Sequence, residues 1–173
     1  KAHFATEFMS ALLTSEMGNT DKMVGYFTEC RELGLQILPP DANQSLKNFT
    51  VVPEGIRFGL VAIKKVGGNA VDVILESRNT EGPFSSFVDF CCRIDSQKVN
   101  KRVLEGLIKV GAFDSMGLSR ASLFQVLDEA LDHAATIQRN KREGQTSLFE
   151  VLAPEPSTPK QDGFGFVIPQ IPE

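Results

Sequence analysis

A glycine corner set between two helical patterns occurs twice in this sequence, about 45 residues apart, and the repetition confines the chain to a mainly α architecture. The first copy is a short helix over residues 60–65, the turn Val66-Gly67-Gly68, and a second helix over residues 69–77. The second copy is a helix over residues 99–110, the turn Gly111-Ala112-Phe113, and a long helix over residues 119–142. The chemical value of such a corner lies at the start of its second helix. There the N–H groups of Gly68, Asn69 and Ala70 have no intrahelical acceptor, and the helix dipole adds partial positive charge. Glycine has no Cβ, so an anion can come close to the backbone of Gly67 and Gly68. Lys64 and Lys65 flank the first corner; Lys101, Arg102, Lys109 and Arg120 surround the second, at Gly111. Two corners on one core can hold two phosphates of a nucleic-acid strand and read no bases, so binding ignores sequence and weakens steeply with salt. A glycine also closes an αα-hairpin that binds nothing, and for a single corner that reading stands beside the first.

The charge bears on this choice. Eighteen basic and 22 acidic residues give a net −4, which argues against nucleic-acid binding along the whole length. Residues 56–120, however, hold ten basic and seven acidic side chains, a local +3, while the remainder carries −7. A mildly positive middle between acidic flanks suits local phosphate contact; +3 over 65 residues is also ordinary scatter. With 173 residues there is room for one domain of ordinary size, or two small ones with a tail. An apolar fraction of 42% with 23% charged residues excludes global disorder. Three cysteines, of which Cys91 and Cys92 are adjacent, are too few for a disulfide scaffold and imply a reduced, cytoplasmic setting. No apolar run approaches the roughly 18 residues that span a bilayer, so no membrane partner is expected. Lys1 lies inside a helical pattern and no initiator Met precedes it, which reads as the interior of a longer polypeptide.

Elsewhere the pattern is regular. Residues 5–17 place Phe8, Met9, Leu12 and Leu13 on one helical face. Asn19 or Thr20 can cap a second helix, which Gly34 can end in the left-handed conformation. Leu35-Gln36-Ile37-Leu38 before Pro39-Pro40-Asp41 is a short extended segment, and residues 48–52 and 56–60 around Pro53-Glu54-Gly55 form a small β-hairpin. Gly82-Pro83 breaks the helix after residue 77, and Ser85 or Ser86 can cap another over residues 87–93. Five prolines between residues 154 and 173, without amphipathic period, mark a flexible tail or linker.

Four stretches, in their order and spacing, carry a resemblance to a known family. They are Glu7-Phe8-Met9-Ser10-Ala11-Leu12-Leu13-Thr14-Ser15-Glu16, Ile37-Leu38-Pro39-Pro40-Asp41-Ala42-Asn43, Gly59-Leu60 through Gly67, and Asn100-Lys101-Arg102-Val103-Leu104-Glu105 through Leu107-Ile108-Lys109-Val110-Gly111-Ala112-Phe113-Asp114. Together they resemble the family C replicative polymerases of bacteria, the DNA polymerase III alpha subunits. The resemblance implies the end of a fingers domain over residues 1–35 and a tandem helix-hairpin-helix module holding duplex DNA over residues 36–124. It also implies a helix end with a clamp-binding peptide over residues 125–152 and a linker over residues 153–173. It assigns Lys64, Lys65, Val66, Gly67, Gly68, Asn69, Ala70, Lys101, Arg102, Lys109, Gly111 and Arg120 to the DNA contact. The family often has glycine where this chain has Lys65.

Gln145-Thr146-Ser147-Leu148-Phe149 follows the long helix with an amide anchor and two adjacent apolar plugs. In an exposed linker such plugs suit a partner's pocket; they equally suit a last helical turn folded back on the chain. The peptide is similar to the family's sliding-clamp-binding motif, which implies that Leu148 and Phe149 enter the clamp while Gln145 bonds at its rim. The remaining partners implied are the other holoenzyme subunits. No catalytic constellation stands out. His3 and His133 are isolated, no cysteine pair has metal-ligand spacing, and Gly163-Phe164-Gly165 lacks the setting of a phosphate loop. Asp128, Glu129 and Asp132 read as a solvated helix face, and the resemblance places catalytic aspartates and their magnesium outside this chain. Two rival readings remain: a helix-hairpin-helix module from a repair nuclease or ligase, and a helical scaffold that binds only protein.

Overall fold

Capping side chains decide where most helices begin in the computed structural model, which describes residues 4–142. Helix α1 (Ala5–Ser15) is followed by α2 (Thr20–Glu32), opened by Asn19, whose side chain accepts the Lys22 amide. Gly34, at φ 71°, ends α2 as expected. Three short strands come next: β1 (Ile37–Leu38), β2 (Thr50–Val52) and β3 (Gly55–Arg57). Helices α3 (Gly68–Glu81), α4 (Phe87–Arg93), α5 (Lys101–Lys109) and α6 (Arg120–Arg142) complete the described chain. Ser86 caps α4 and Asn100 caps α5 through their own side-chain oxygens. The fold class is therefore the expected one, mainly helical with a small sheet.

Three local expectations are corrected. The hairpin belongs to a three-stranded sheet of order β1-β3-β2, because β1 adds in parallel to β3 with Ile37 opposite Ile56. Gly55, at φ 147°, makes this possible: a Cβ there would strike the Gln36 carbonyl of the neighbouring strand. The expected helix over residues 60–65 is a single 3-10 turn, Leu60–Ala62. Its Leu60 and Val61 amides bond sideways to the carbonyls of Leu46 and Lys47, and too few residues remain for a stable α-helical nucleus. The second corner is no three-residue turn either. Residues 110–119 separate α5 from α6 and contain another 3-10 turn, Asp114–Met116.

Two apolar clusters share the interior. The smaller joins Met9, Leu13, Met23 and Cys30 of the first helices to Phe49 and Ile56 beside and within the sheet. The larger fills the space between α3, α4, α5 and α6, with Phe87, Phe90 and Phe113 fully buried. Phe113 meets Phe87 and Phe90 edge-on, each at 5.0 Å between centroids. Phe58 packs against both clusters. Around it, the loop Asp41–Ser45 is pinned by polar groups: the buried Asp41 carboxylate accepts the Asn43 and Gln44 amides, and Ser45 Oγ donates to the Phe58 carbonyl. Arg78 of α3 donates to the carbonyls of Ala42 and Ser45. Burial lowers the pKa of Arg78, and the Asp41 charge opposes that shift.

Cys91 lies in the same core, where burial first and then Cys92 push its thiol up to about 12, so it has no thiolate at neutral pH. Among the described residues no helix is long and apolar enough to cross a membrane.

Two stability outcomes follow from this packing. Phe113→Ala removes the ring that joins α4 to the second corner and should cost about 3–5 kcal/mol in urea denaturation. Lys65, the one non-glycine described residue at positive φ (75°), carries left-handed strain of about 1–2 kcal/mol. Lys65→Gly relieves that strain but gives back about 0.4–1 kcal/mol of unfolded-chain entropy, so the variant should be more stable by about 0.5–1 kcal/mol.

Candidate nucleic-acid interface

The first corner is open. Gly67 is exposed, with extended φ/ψ of −81° and 158°, and nothing within 4 Å occupies the place of a Cβ. It opens α3 without a side-chain cap, and the first turn of α3 holds no acidic residue. The amides of Gly68, Asn69 and Ala70 therefore start a 14-residue helix with neither a capping oxygen nor a carboxylate to neutralise them. Lys64 and Lys65 are both exposed beside it. Val66 plays a different part from its neighbours. Its side chain is buried and its amide bonds to the Ile63 carbonyl, so it anchors the corner. Ala70 likewise turns its methyl into the core and contributes only backbone.

Lysine at position 65 occupies the apex where a left-handed conformation is required. A glycine there would let a phosphate approach the backbone without obstruction. The side chain present instead stands exposed at the apex.

The second corner is built differently. Gly111, at φ 80°, ends α5 in a helix-stop motif in which its own amide bonds to Ile108 and that of Ala112 bonds to Leu107. These donors are used within the helix end, which corrects the expectation that this corner offers unpaired amides. Gly111 is also buried, and a Cβ on it would collide with the Arg120 guanidinium and the Asp114 carboxylate. Arg120 forms a two-pronged pair with Asp114, 2.6 Å and 3.2 Å, and donates to the Lys109 carbonyl at 3.2 Å. Ser119, whose side chain accepts the Ser122 amide, serves the start of α6.

What the second corner presents is therefore side-chain charge. Lys101 and Arg102 are exposed on the first turn of α5. Lys101 is hydrogen-bonded to Asp128 of α6, the main cause of its raised pKa. Lys109 is exposed, its ammonium 5.8 Å from the ring centroid of the part-exposed Phe124.

Two features escaped the sequence reading. Gly106, inside α5, lets that helix approach the first corner: a Cβ there would stand 3.2 Å from the Lys64 carbonyl and 3.7 Å from Val66. Gly106 precedes Gly111 by five residues, about 7 Å of helix, so the two corners lie near each other. Lys47, from the loop before β2, reaches the mouth of α3 and bonds Asp72 at 2.7 Å and 2.9 Å. It lies 20 residues before Gly67, so no local pattern points to it. Gln145, Thr146, Ser147, Leu148 and Phe149 lie outside the described residues. Among the described residues no group of three or more His, Cys, Asp or Glu is placed to hold a metal.

Comparison with known proteins agrees with this geometry. A family model described as "Helix-hairpin-helix motif" matches residues 34–123. The chain is 46% identical over 162 residues to the DNA polymerase III subunit alpha of Escherichia coli (strain K12), covering 93% of the chain and 14% of that protein. The subunit of Saccharopolyspora erythraea is 47% identical over 149 residues, covering 86% of the chain and 12% of that protein. That of Borreliella burgdorferi is 41% identical over 166 residues, covering 96% and 14%. The chain thus spans only a small part of the curated relatives it matches. The resemblance read from its residues is borne out along most of its length, and the chain belongs to the helix-hairpin-helix family, matched over residues 34–123.

Proposed function

We propose that this chain is the part of a bacterial replicative DNA polymerase subunit that holds duplex DNA by its phosphates, without regard to sequence. The observation that carries this reading is the first corner. It is open and uncapped, carries exposed lysines, and lies within the matched helix-hairpin-helix segment. In this role Gly67, Gly68, Asn69 and Ala70 supply backbone, and Lys64 and Lys65 supply charge to one strand. Lys101, Arg102 and Lys109 supply charge further along, with Arg120 and Gly111 holding the second corner in shape. The parent polypeptide, by its relatives' name, carries out template-directed nucleotide addition; this segment contributes grip.

Residues 145–149 complete the proposal as a tether to the sliding clamp. A short peptide binds weakly alone. Beside a DNA-holding module it reaches an effective concentration in the millimolar range, and two weak contacts then act as one.

Two experiments test these roles. In fluorescence anisotropy with unrelated duplexes, Lys64→Ala with Lys65→Ala should weaken all duplexes alike and lower the slope of log K against log salt by about 1–2. Loss confined to one sequence contradicts the reading, and negligible duplex binding at low salt favours a protein-only scaffold. Leu148→Ala with Phe149→Ala should weaken clamp binding at least about tenfold and leave duplex binding unchanged. Unchanged clamp binding removes the tether and favours a module of the repair type.

A further inference from the structure

The mouth of α3 presents an electrostatic conflict. A helix N-terminus favours acidic groups, and α1, α2 and α4 each have one in the first turn: Glu7, Asp21 and Asp89. At α3 the first turn has none, as at α5 and α6, but unlike those two it has no side-chain cap either, and a lysine from a distant loop stands at its mouth. A Cβ on Gly68 would be 3.9 Å from Lys47 Cε and 4.0 Å from Lys47 Nζ. The lysine does not arrive there by chance of a floppy stem. Its backbone carbonyl accepts the Val61 amide, and the Leu46 carbonyl accepts that of Leu60, so the loop runs directly alongside the 3-10 turn of the hairpin. Gly59 permits this approach, because a Cβ on it would strike the backbone of Asn48 and Phe49. Asp72, one turn into α3, then holds the ammonium with both carboxylate oxygens.

We infer that Lys47 is a further phosphate ligand of the first corner, contributed by the loop before β2. The inference rests on the reading of that corner as a phosphate site. A phosphate at the α3 amides meets the Lys47 ammonium, and Lys64 and Lys65 stand exposed at the same corner. The anion relieves the repulsion between the cation and the helix end, while Asp72 keeps a shared hold on the ammonium. Lys47 and Asp72 are each about half exposed (46% and 54%), so the pair contributes little to folding and can be altered without loss of the fold.

The test compares three single variants of the complete chain, read by duplex anisotropy across a salt series. Lys47→Gln should lower affinity about three- to tenfold and reduce the salt slope by about 0.9, the value of one phosphate contact. Asp72→Asn breaks the same ion pair but keeps the cation, so it should retain or increase affinity. Lys22→Gln, on α2 and paired with Glu16, removes the same charge elsewhere and should leave the slope unchanged. Equal losses from Lys47→Gln and Asp72→Asn would make the pair a structural tie and overturn the assignment. Equal losses from Lys47→Gln and Lys22→Gln would reduce it to net charge and overturn it equally. If the Lys64/Lys65 variant loses affinity while Lys47→Gln does not, this inference fails and the corner remains a phosphate site. If neither loses affinity, the corner itself is not one.

Discussion

The loop Asp41–Ser45 holds the described chain together. An aspartate and a serine buried between two apolar clusters are stable only if their polar atoms are satisfied, and here each is. Asp41 takes two amides of its own loop, Ser45 joins the Asp41 amide to the Phe58 carbonyl, and Arg78 reaches across from α3 to two loop carbonyls. Asn43 adds a reciprocal pair with the backbone of Phe84, and the Ala42 amide reaches the Ala112 carbonyl beside the second corner. One five-residue segment thus contacts the sheet, α3, the start of α4 and the turn after α5. The position of each corner relative to the other depends on it.

On that frame the two corners divide the work. Both use glycine in a special backbone setting, yet the first leaves helix-start amides open and the second uses its amides to stop a helix. The difference comes from what surrounds each. At the first, an extended approach at Gly67 leads directly into α3. At the second, Arg120 and Asp114 close over Gly111 and fasten the end of α5 to the start of α6. Open backbone amides therefore mark one corner and exposed side-chain charge the other.

The helices were largely legible because their signals are local. Asn19, Ser86, Gly34 and Gly82 each mark an end through the chemistry of a single residue, and the structure uses all four. Phe87–Arg93 is found with the expected bounds. The parallel pairing of β1 with β3 was not legible, since it joins segments about 19 residues apart through backbone groups that every residue carries. Lys47 was hidden for the same reason, and so was Gly106, whose value is the room it leaves for the Lys64 carbonyl.

By itself the sequence marked most helix starts, the glycines of the two corners, the resemblance to the family and the places where basic side chains gather. These depend on capping, periodicity and backbone freedom, which act within a few residues. Only the tertiary structure decided which amides stay open and which cations are held by a carboxylate. Those outcomes turn on hydrogen-bond partners brought from distant segments, and a donor already bonded inside the protein has nothing left for a ligand.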